Sequence, residues 1–115
     1  MPEDGGERRE IRILCQINVV FRLNFQNCYG TCKNLGLHGM FIGFDGEVTE
    51  GEPVELSFML SGTGSCLVEA SGKVIWVNSG PKRNCDMPEG FGVEFIDMSE
   101  ESRELVRGFI DQCSS

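Results

Sequence analysis

Hydrophobic and polar positions alternate along much of the chain, beginning just after Arg12. Between Ile13 and Phe25 every second residue is apolar, and most of the residues between them are polar or charged. A period of two is typical of a β-strand with one face buried and one face in water. We therefore predict a long first strand whose buried face runs from Ile13 to Phe25.

Similar segments follow, separated by stretches rich in glycine, proline and polar residues. The stretch QNCYGTCKN has the composition of a turn that leads into a second strand, and LHGMFIGF supplies a third. Three more strands are predicted in PVELSFML, CLVEASGKVIWVN and FGVEFI, the longest of them bent or bulged at Gly72. About six strands with regular turn signals favour an antiparallel barrel or sandwich.

The period changes near the C-terminus, where the pattern indicates one amphipathic helix over about residues 99–113. Ser99 suits the N-cap, and two acidic residues in the first turn suit the positive end of the helix dipole. We expect the helix to pack against an open end of the barrel. Its apolar stripe consists of Leu105, Val106, Phe109, Ile110 and Cys113.

The length and composition of the chain predict one folded domain. The chain has 115 residues, of which 40% are hydrophobic and 24% charged. Residues 1–7, MPEDGGE, lack any apolar period and are predicted to be a flexible lead-in to a single domain over residues 8–115. No apolar run approaches the roughly 18 residues of a membrane span, and the N-terminus lacks the order of a signal peptide, so we expect a cytoplasmic protein without membrane contact.

The charge balance excludes one class of partner and permits another. A formal net charge of −8 argues against binding long nucleic acids through a broad basic surface. A small anion that needs only two or three arginines is still compatible with it. Three of the ten basic residues, Arg8, Arg9 and Arg12, lie within five positions at the end of the lead-in.

Catalytic and metal-binding patterns are weak. His38 is the single histidine, and neither a nucleophile elbow nor a phosphate-binding loop motif occurs, so we predict that the protein is not an enzyme. Cys28 and Cys32 have a spacing seen in zinc sites, which Cys85 or His38 would complete, but another close Cys/His pair is missing. We interpret the six cysteines as reduced thiols of strands and turns, and predict no metal or cofactor.

In the stretch KNLGLHGMFIG, two of the three glycines, Gly36 and Gly39, lie at the start of the third strand. Glycine there either permits a bulge or leaves room for another group to approach the backbone. The residues themselves leave both interpretations open.

Two motifs, taken in order, resemble those of the PilZ domain. The first is R-x-x-x-R at Arg8 and Arg12, and the second is [DN]-x-S-x-x-G, matched at Asn34 and Gly39 with Gly36 in place of serine. The closing stretch GFGVEFIDMSEE resembles the last strand and the helix start of that family. The resemblance extends from Arg8 to about residue 113.

This resemblance implies a six-stranded antiparallel β-barrel with a C-terminal α-helix that binds the bacterial second messenger cyclic di-GMP and performs no chemistry on it. By position, Arg8 and Arg12 would clamp the ligand and Asn34 would hydrogen-bond a guanine, while Gly39 would leave room. Arg9 is a further candidate, ranked lower because adjacent residues of an extended segment point to opposite sides. Binding would order the arginine segment and signal through a protein partner.

Gly36, in place of the family's serine, supports an alternative function. The missing serine hydroxyl would cost one neutral hydrogen bond, or about 2- to 13-fold in affinity. The alternative is therefore a degenerate PilZ-like protein-interaction domain that does not bind cyclic di-GMP.

Trp76 alternates with Val74, which favours a position in the core over stacking on a ligand.

Overall fold

In the computed structural model, residues 11–61 and 66–114 are described, and within these ranges the chain forms six strands and one helix. The predicted lead-in, residues 1–7, and the candidate residues Arg8 and Arg9 lie outside the described residues. The elements are β1 (Ile13–Leu23), β2 (Gln26–Leu35), β3 (Gly39–Gly43), β4 (Pro53–Leu60), β5 (Cys66–Asn78), β6 (Gly90–Met98) and α1 (Glu100–Ser114).

The six strands close into a single barrel in the order β1-β2-β3-β6-β5-β4, and all neighbouring strands are antiparallel. Closure pairs β4 with β1, so none of the six strands in the described residues is left as an edge. The predicted antiparallel barrel is confirmed, and the sandwich alternative is wrong.

Aromatic side chains form the centre of the barrel core. Phe21 lies edge-on to Phe44 and Phe91, with ring centroids 5.0 and 5.3 Å apart. These contacts join β1, β6 and the segment after β3, which are distant in sequence. Edge-to-face geometry adds to the stabilisation that comes from burying the rings.

The first strand is shorter than its alternation predicts. β1 ends at Leu23, which pairs with Gln26, and the two residues between them have positive φ values of 50° at Asn24 and 65° at Phe25. Two positive φ values define the tight hairpin turn whose twist matches the flanking strands. Phe25 is therefore 90% exposed instead of buried, and the prediction for this residue was wrong.

The segment predicted as a turn before the second strand, residues 26–34, belongs to β2 itself. Its polar side chains lie on the solvent-exposed outer surface of the barrel. Polar residues are therefore compatible with a strand here and do not mark a turn. The turn lies two residues earlier than the composition indicated.

The predicted bulge at Gly72 is confirmed, because the register between β5 and β6 shifts between Ser71 and Gly72. A Cβ atom at Gly72 would lie only 2.7 Å from the carbonyl oxygen of Glu94. Glycine thus permits the close contact between the strands at the bulge.

The C-terminal helix has the predicted cap and most of the predicted stripe. The backbone N–H of Ser102 donates to Oγ of Ser99 over 3.0 Å, as an N-cap requires. Val106 and Ile110 are buried in the core cluster of the barrel, and the helix packs mainly against β5. Cys113 is exposed and does not belong to the buried stripe.

Within residues 11–61 and 66–114, no helix has both the length and the apolar content that crossing a membrane would require.

Candidate functional site

A side-chain contact between Arg12 and Asn34 defines the candidate site on the outer face of the barrel. The Nε–H and Nη2–H groups of Arg12 both donate to Oδ1 of Asn34, over 2.9 and 2.7 Å. Arg12 directly precedes β1 and Asn34 lies near the end of β2. Because Ile13 pairs with Leu35 and Leu14 with Asn34, antiparallel pairing brings the two residues together.

The chemistry of this contact suits an anion site. An amide oxygen is neutral, so its hydrogen bonds orient the guanidinium group without neutralising its charge. The guanidinium group is planar, always protonated and able to form bidentate contacts with phosphate. Arg12 is exposed and Asn34 is half-buried, so one residue anchors the other at the surface.

Irregular strand pairing surrounds the contact. The β1–β2 register shifts between Leu14 and Ile17, and the β2–β3 register shifts between Cys32 and Asn34. Extra residues at such bulges turn side chains away from strict alternation. Asn34 is directly followed by the fully buried Leu35, and it reaches the outer face at the end of this irregular stretch.

Gly36 and Gly39 flank the tight connection between β2 and β3. The N–H of Gly36 donates to the carbonyl of Gly39 over 2.9 Å, and the N–H of Phe95 donates to the carbonyl of His38 over 2.8 Å. A Cβ atom at Gly39 would collide with the carbonyl oxygen of Val93. The group that approaches the backbone of Gly39 most closely is thus the main chain of β6.

A cleft of about 320 Å³ extends from Arg12 across the outer face of β3, β6 and β5. Phe41, which is buried, and Trp76, which is half-buried, both line it, and their ring centroids are 5.5 Å apart. Glu94 brings a carboxylate to the same cleft. The full lining consists of Arg12, His38, Gly39, Met40, Phe41, Ile75, Trp76, Gly92, Val93 and Glu94.

Trp76 does not occupy the core position that its alternation with Val74 predicts. It is half-buried and lines the cleft, because the β5–β6 register shifts between Val74 and Trp76 and reverses the alternation there. Ile75, at the shift, is 52% exposed and lines the same cleft. The available signal was the consecutive apolar run VIW, which breaks the period of two.

The structure thus brings together Arg12, Asn34 and Gly39, with Gly36 in the connection beside them. Sequence reasoning did not select Phe41 or Ile75 for the site.

The zinc alternative at Cys28 and Cys32 does not fit the geometry. Both cysteines lie in the extended strand β2, where four residues span about 13 Å, whereas two thiolates on one zinc ion each lie about 2.3 Å from it. Among the described residues, no group of three or more histidine, cysteine, aspartate or glutamate side chains is arranged to hold a metal ion.

Comparison with known protein families shows which family has this fold. The profile of the PilZ domain matches residues 7–112. The chain belongs to the PilZ domain family. Members of this family are ligand-binding regulatory modules, and known members are receptors for cyclic di-GMP.

Solved structures share the PilZ fold with this chain at low sequence identity. The PilZ domain of YcgR from Escherichia coli, solved with c-di-GMP, has a TM-score of 0.69 at 15% identity and covers 93% of this chain and 91% of its own. The PilZ domain of CeSA from a cellulose-synthesizing bacterium has a TM-score of 0.64 at 12% identity, covering 91% and 99%.

The inhibitor of motility MotI/DgrA from Bacillus subtilis has a TM-score of 0.77 at 13% identity over 91% of this chain. This PilZ chain spans about half the length of that protein, since the match covers 50% of it. A search of curated proteins found no match.

Proposed function

We propose that this PilZ domain is a receptor for cyclic di-GMP that binds the nucleotide without transforming it and signals through a protein partner. The main support is the pair of hydrogen bonds from Arg12 to Asn34, because it joins a residue of the first PilZ motif to a residue of the second. The proposal implies a cytoplasmic location, where such a messenger acts.

The site offers the groups that this ligand requires. Cyclic di-GMP carries two phosphates and two guanines. A guanidinium group can pair with a phosphate or with O6 and N7 of guanine, and it can stack on the base. The half-buried Trp76 offers an aromatic side chain in the same cleft, with the centroid of the buried Phe41 ring 5.5 Å from its own. Because the chain has a formal net charge of −8, attraction of the anionic ligand depends on the local arginines and not on the field of the whole protein.

The remaining motif residues receive roles by position. We assign Arg8 to the second cationic contact and Arg9 to a lesser one. Asn34 would contact a guanine edge as well as hold Arg12. Gly39 would leave room for the main chain of β6 to lie close to β3 beside the cleft, and Gly36 would leave out the hydroxyl contact of the family's serine.

A second candidate function rests on Gly36. A PilZ domain without the serine hydroxyl loses one hydrogen bond, and glycine gives the backbone next to Asn34 more conformational freedom. If this loss is combined with a weak arginine clamp, the domain is a protein-interaction module that no longer binds the nucleotide.

Calorimetric titration with cyclic di-GMP separates the two candidates. We expect micromolar or tighter binding by the natural protein and no detectable binding by the Arg8→Ala/Arg12→Ala variant. Arg22→Ala is the matched control, because Arg22 lies on the exposed face of β1 with its guanidinium carbon 6.0 Å from the centre of the Phe25 ring.

The Gly36→Ser variant completes the experiment. Tighter binding by roughly 2- to 13-fold would show that glycine is tolerated at the cost of one hydrogen bond. Binding by Gly36→Ser alone would identify a receptor surface that has lost its ligand. No binding by either protein would support the interaction domain.

A further inference from the structure

Two thiols lie in contact between β1 and β2, next to the candidate site. The Sγ atoms of Cys15 and Cys32 are 3.7 Å apart. Cys32 is completely buried, whereas Cys15 is partly exposed. We propose that Cys15 and Cys32 form a redox pair that a peroxide converts into a disulfide joining β1 to β2.

The geometry requires only a small movement. A disulfide needs sulfurs at about 2.05 Å, so the two Sγ atoms must approach by about 1.7 Å from their present 3.7 Å. The two cysteines lie on hydrogen-bonded neighbouring strands, whose spacing of roughly 4.7–4.9 Å is compatible with a cross-strand bond. Cys15 also lies where the β1–β2 register shifts, between Leu14 and Ile17, so regular pairing does not hold it in place.

The environments of the two thiols give them different roles. The hydrogen bond with Cys32 lowers the pKa of Cys15 despite the opposing effect of burial, and the same contact together with burial raises the pKa of Cys32. Thiolates are the reactive form of cysteine, and oxidants must also reach them. Cys15 therefore reacts first and Cys32 is the resolving thiol.

The reaction balances with hydrogen peroxide as the oxidant. The Cys15 thiolate attacks one peroxide oxygen, so that an S–O bond forms and the O–O bond breaks, which gives a sulfenic acid and, after protonation, water. The sulfur of Cys32 then attacks the sulfur of Cys15, the S–O bond breaks, and the hydroxyl group leaves as water with the Cys32 proton. Two thiols are oxidised by two electrons and one peroxide is reduced to two waters.

The pair is positioned to influence the candidate site. The Cys32 thiol donates to the carbonyl oxygen of Asn34 over 3.2 Å, and Cys15 follows Arg12 by three residues. Oxidation removes the thiol proton from this hydrogen bond and pulls the start of β1 toward β2. Both changes act on the segments that hold Arg12 and Asn34 together.

Peptide mapping of the full natural chain tests the disulfide. The protein is treated with hydrogen peroxide, its remaining thiols are alkylated, and trypsin releases residues 13–22 and 23–33 as separate peptides. We expect a joined peptide whose fragmentation places the bond between Cys15 and Cys32, and which dithiothreitol separates. Oxidised protein without this bond, with Cys15 as sulfinic acid or bonded elsewhere, would overturn the proposal.

Cys28→Ser is the matched control variant. Cys28 lies on the same strand about 13 Å from Cys32, and its Sγ is 3.8 Å from the carbonyl oxygen of Gln26. The joined peptide must persist in Cys28→Ser and disappear in Cys15→Ser. Loss of the joined peptide in Cys28→Ser would assign the bond to Cys28 instead of Cys32 and contradict the proposal.

An affinity measurement then tests the effect on ligand binding, which rests on the proposed function. We expect the oxidised protein to bind cyclic di-GMP about 3-fold more weakly than the reduced protein, with recovery after reduction. Equal affinities would overturn this effect. Failure of the reduced protein to bind would instead contradict the proposed function, while the peptide map would still decide the disulfide.

Discussion

The pairing of β4 with β5 is long and regular, whereas the pairings among β1, β2 and β3 are irregular. β4 and β5 pair without interruption from Pro53 opposite Lys73 to Leu60 opposite Cys66. The site strands, β1, β2 and β3, have a register shift in both of the pairings that they make with one another. The regular pair contributes buried side chains at alternate positions, whereas Arg12, directly before β1, and Asn34, on β2, meet on the outer face of the barrel.

This difference separates stability from binding. Regular pairing keeps apolar side chains in the core, where their removal from water stabilises the fold. Register shifts break that alternation and let a polar residue such as Asn34 and a cleft residue such as Trp76 reach the surface. Changes in the regular pair should therefore affect unfolding, and changes at the site should affect ligand affinity.

The largest expected effect is on stability, in the regular pair. Phe58 is 2% exposed and packs in the core, so Phe58→Ala should lower the free energy of unfolding by about 3–5 kcal/mol. Denaturant unfolding measures this change. Met59→Ala, at a half-exposed neighbour on the same strand, should alter stability by only about 0.5 kcal/mol or less. Similar losses for both variants would show that burial does not govern this strand.

Arg12→Ala should weaken ligand binding strongly and change stability little, which is the reverse of Phe58→Ala. Loss of a contact to a charged group costs about 1.5–3 kcal/mol, which is a roughly 10- to 200-fold loss of cyclic di-GMP affinity. The free energy of unfolding should change by about 0.5 kcal/mol or less, because Arg12 is exposed. Calorimetric titration and denaturant unfolding of the same preparation measure the two quantities. An unaltered affinity would remove Arg12 from the proposed clamp.

Sequence patterns predicted the regular parts of the fold well. Alternation located β4, and a change of period with a capping serine located α1, because regular elements repeat the same local environment. Phe25 was misplaced because a phenylalanine with positive φ has no turn signal in the sequence. Trp76 was misplaced because a register shift depends on the partner strand, which alternation within one strand does not reveal.

The candidate site was only partly predictable. The motif resemblance selected Arg12 and Asn34, but their mutual hydrogen bonds depend on the pairing of β1 with β2. The contact between Cys15 and Cys32 depends on the same pairing, since 17 positions separate them in the chain. Both contacts are therefore set by the pairing register of β1 and β2, which the spacing of motifs in the sequence does not reveal.

Gly39 lies where fold and site meet, and its replacement should affect both. A Cβ atom there would collide with the carbonyl oxygen of Val93, so Gly39→Ala should push β6 away and destabilise the protein by about 1–3 kcal/mol. Gly43→Ala is the control at the other end of β3. Its Cβ would meet the flexible end of Lys33 at 3.0 Å, so a change of about 0.5 kcal/mol or less is expected. Denaturant unfolding measures both changes. If Gly39→Ala loses as little stability as Gly43→Ala, the contact with Val93 relaxes freely.

The smallest effect is expected at Asn34, which positions Arg12. Asn34→Ala removes the acceptor of both Arg12 hydrogen bonds and should lower the affinity for cyclic di-GMP about 2- to 13-fold. Asn34→Asp is the matched control, because a carboxylate keeps an acceptor for the guanidinium group and aspartate also fits the second motif. In calorimetric titration it should bind more tightly than Asn34→Ala. If both variants bind like the natural protein, the Arg12–Asn34 contact is a feature of the surface and not part of the ligand site.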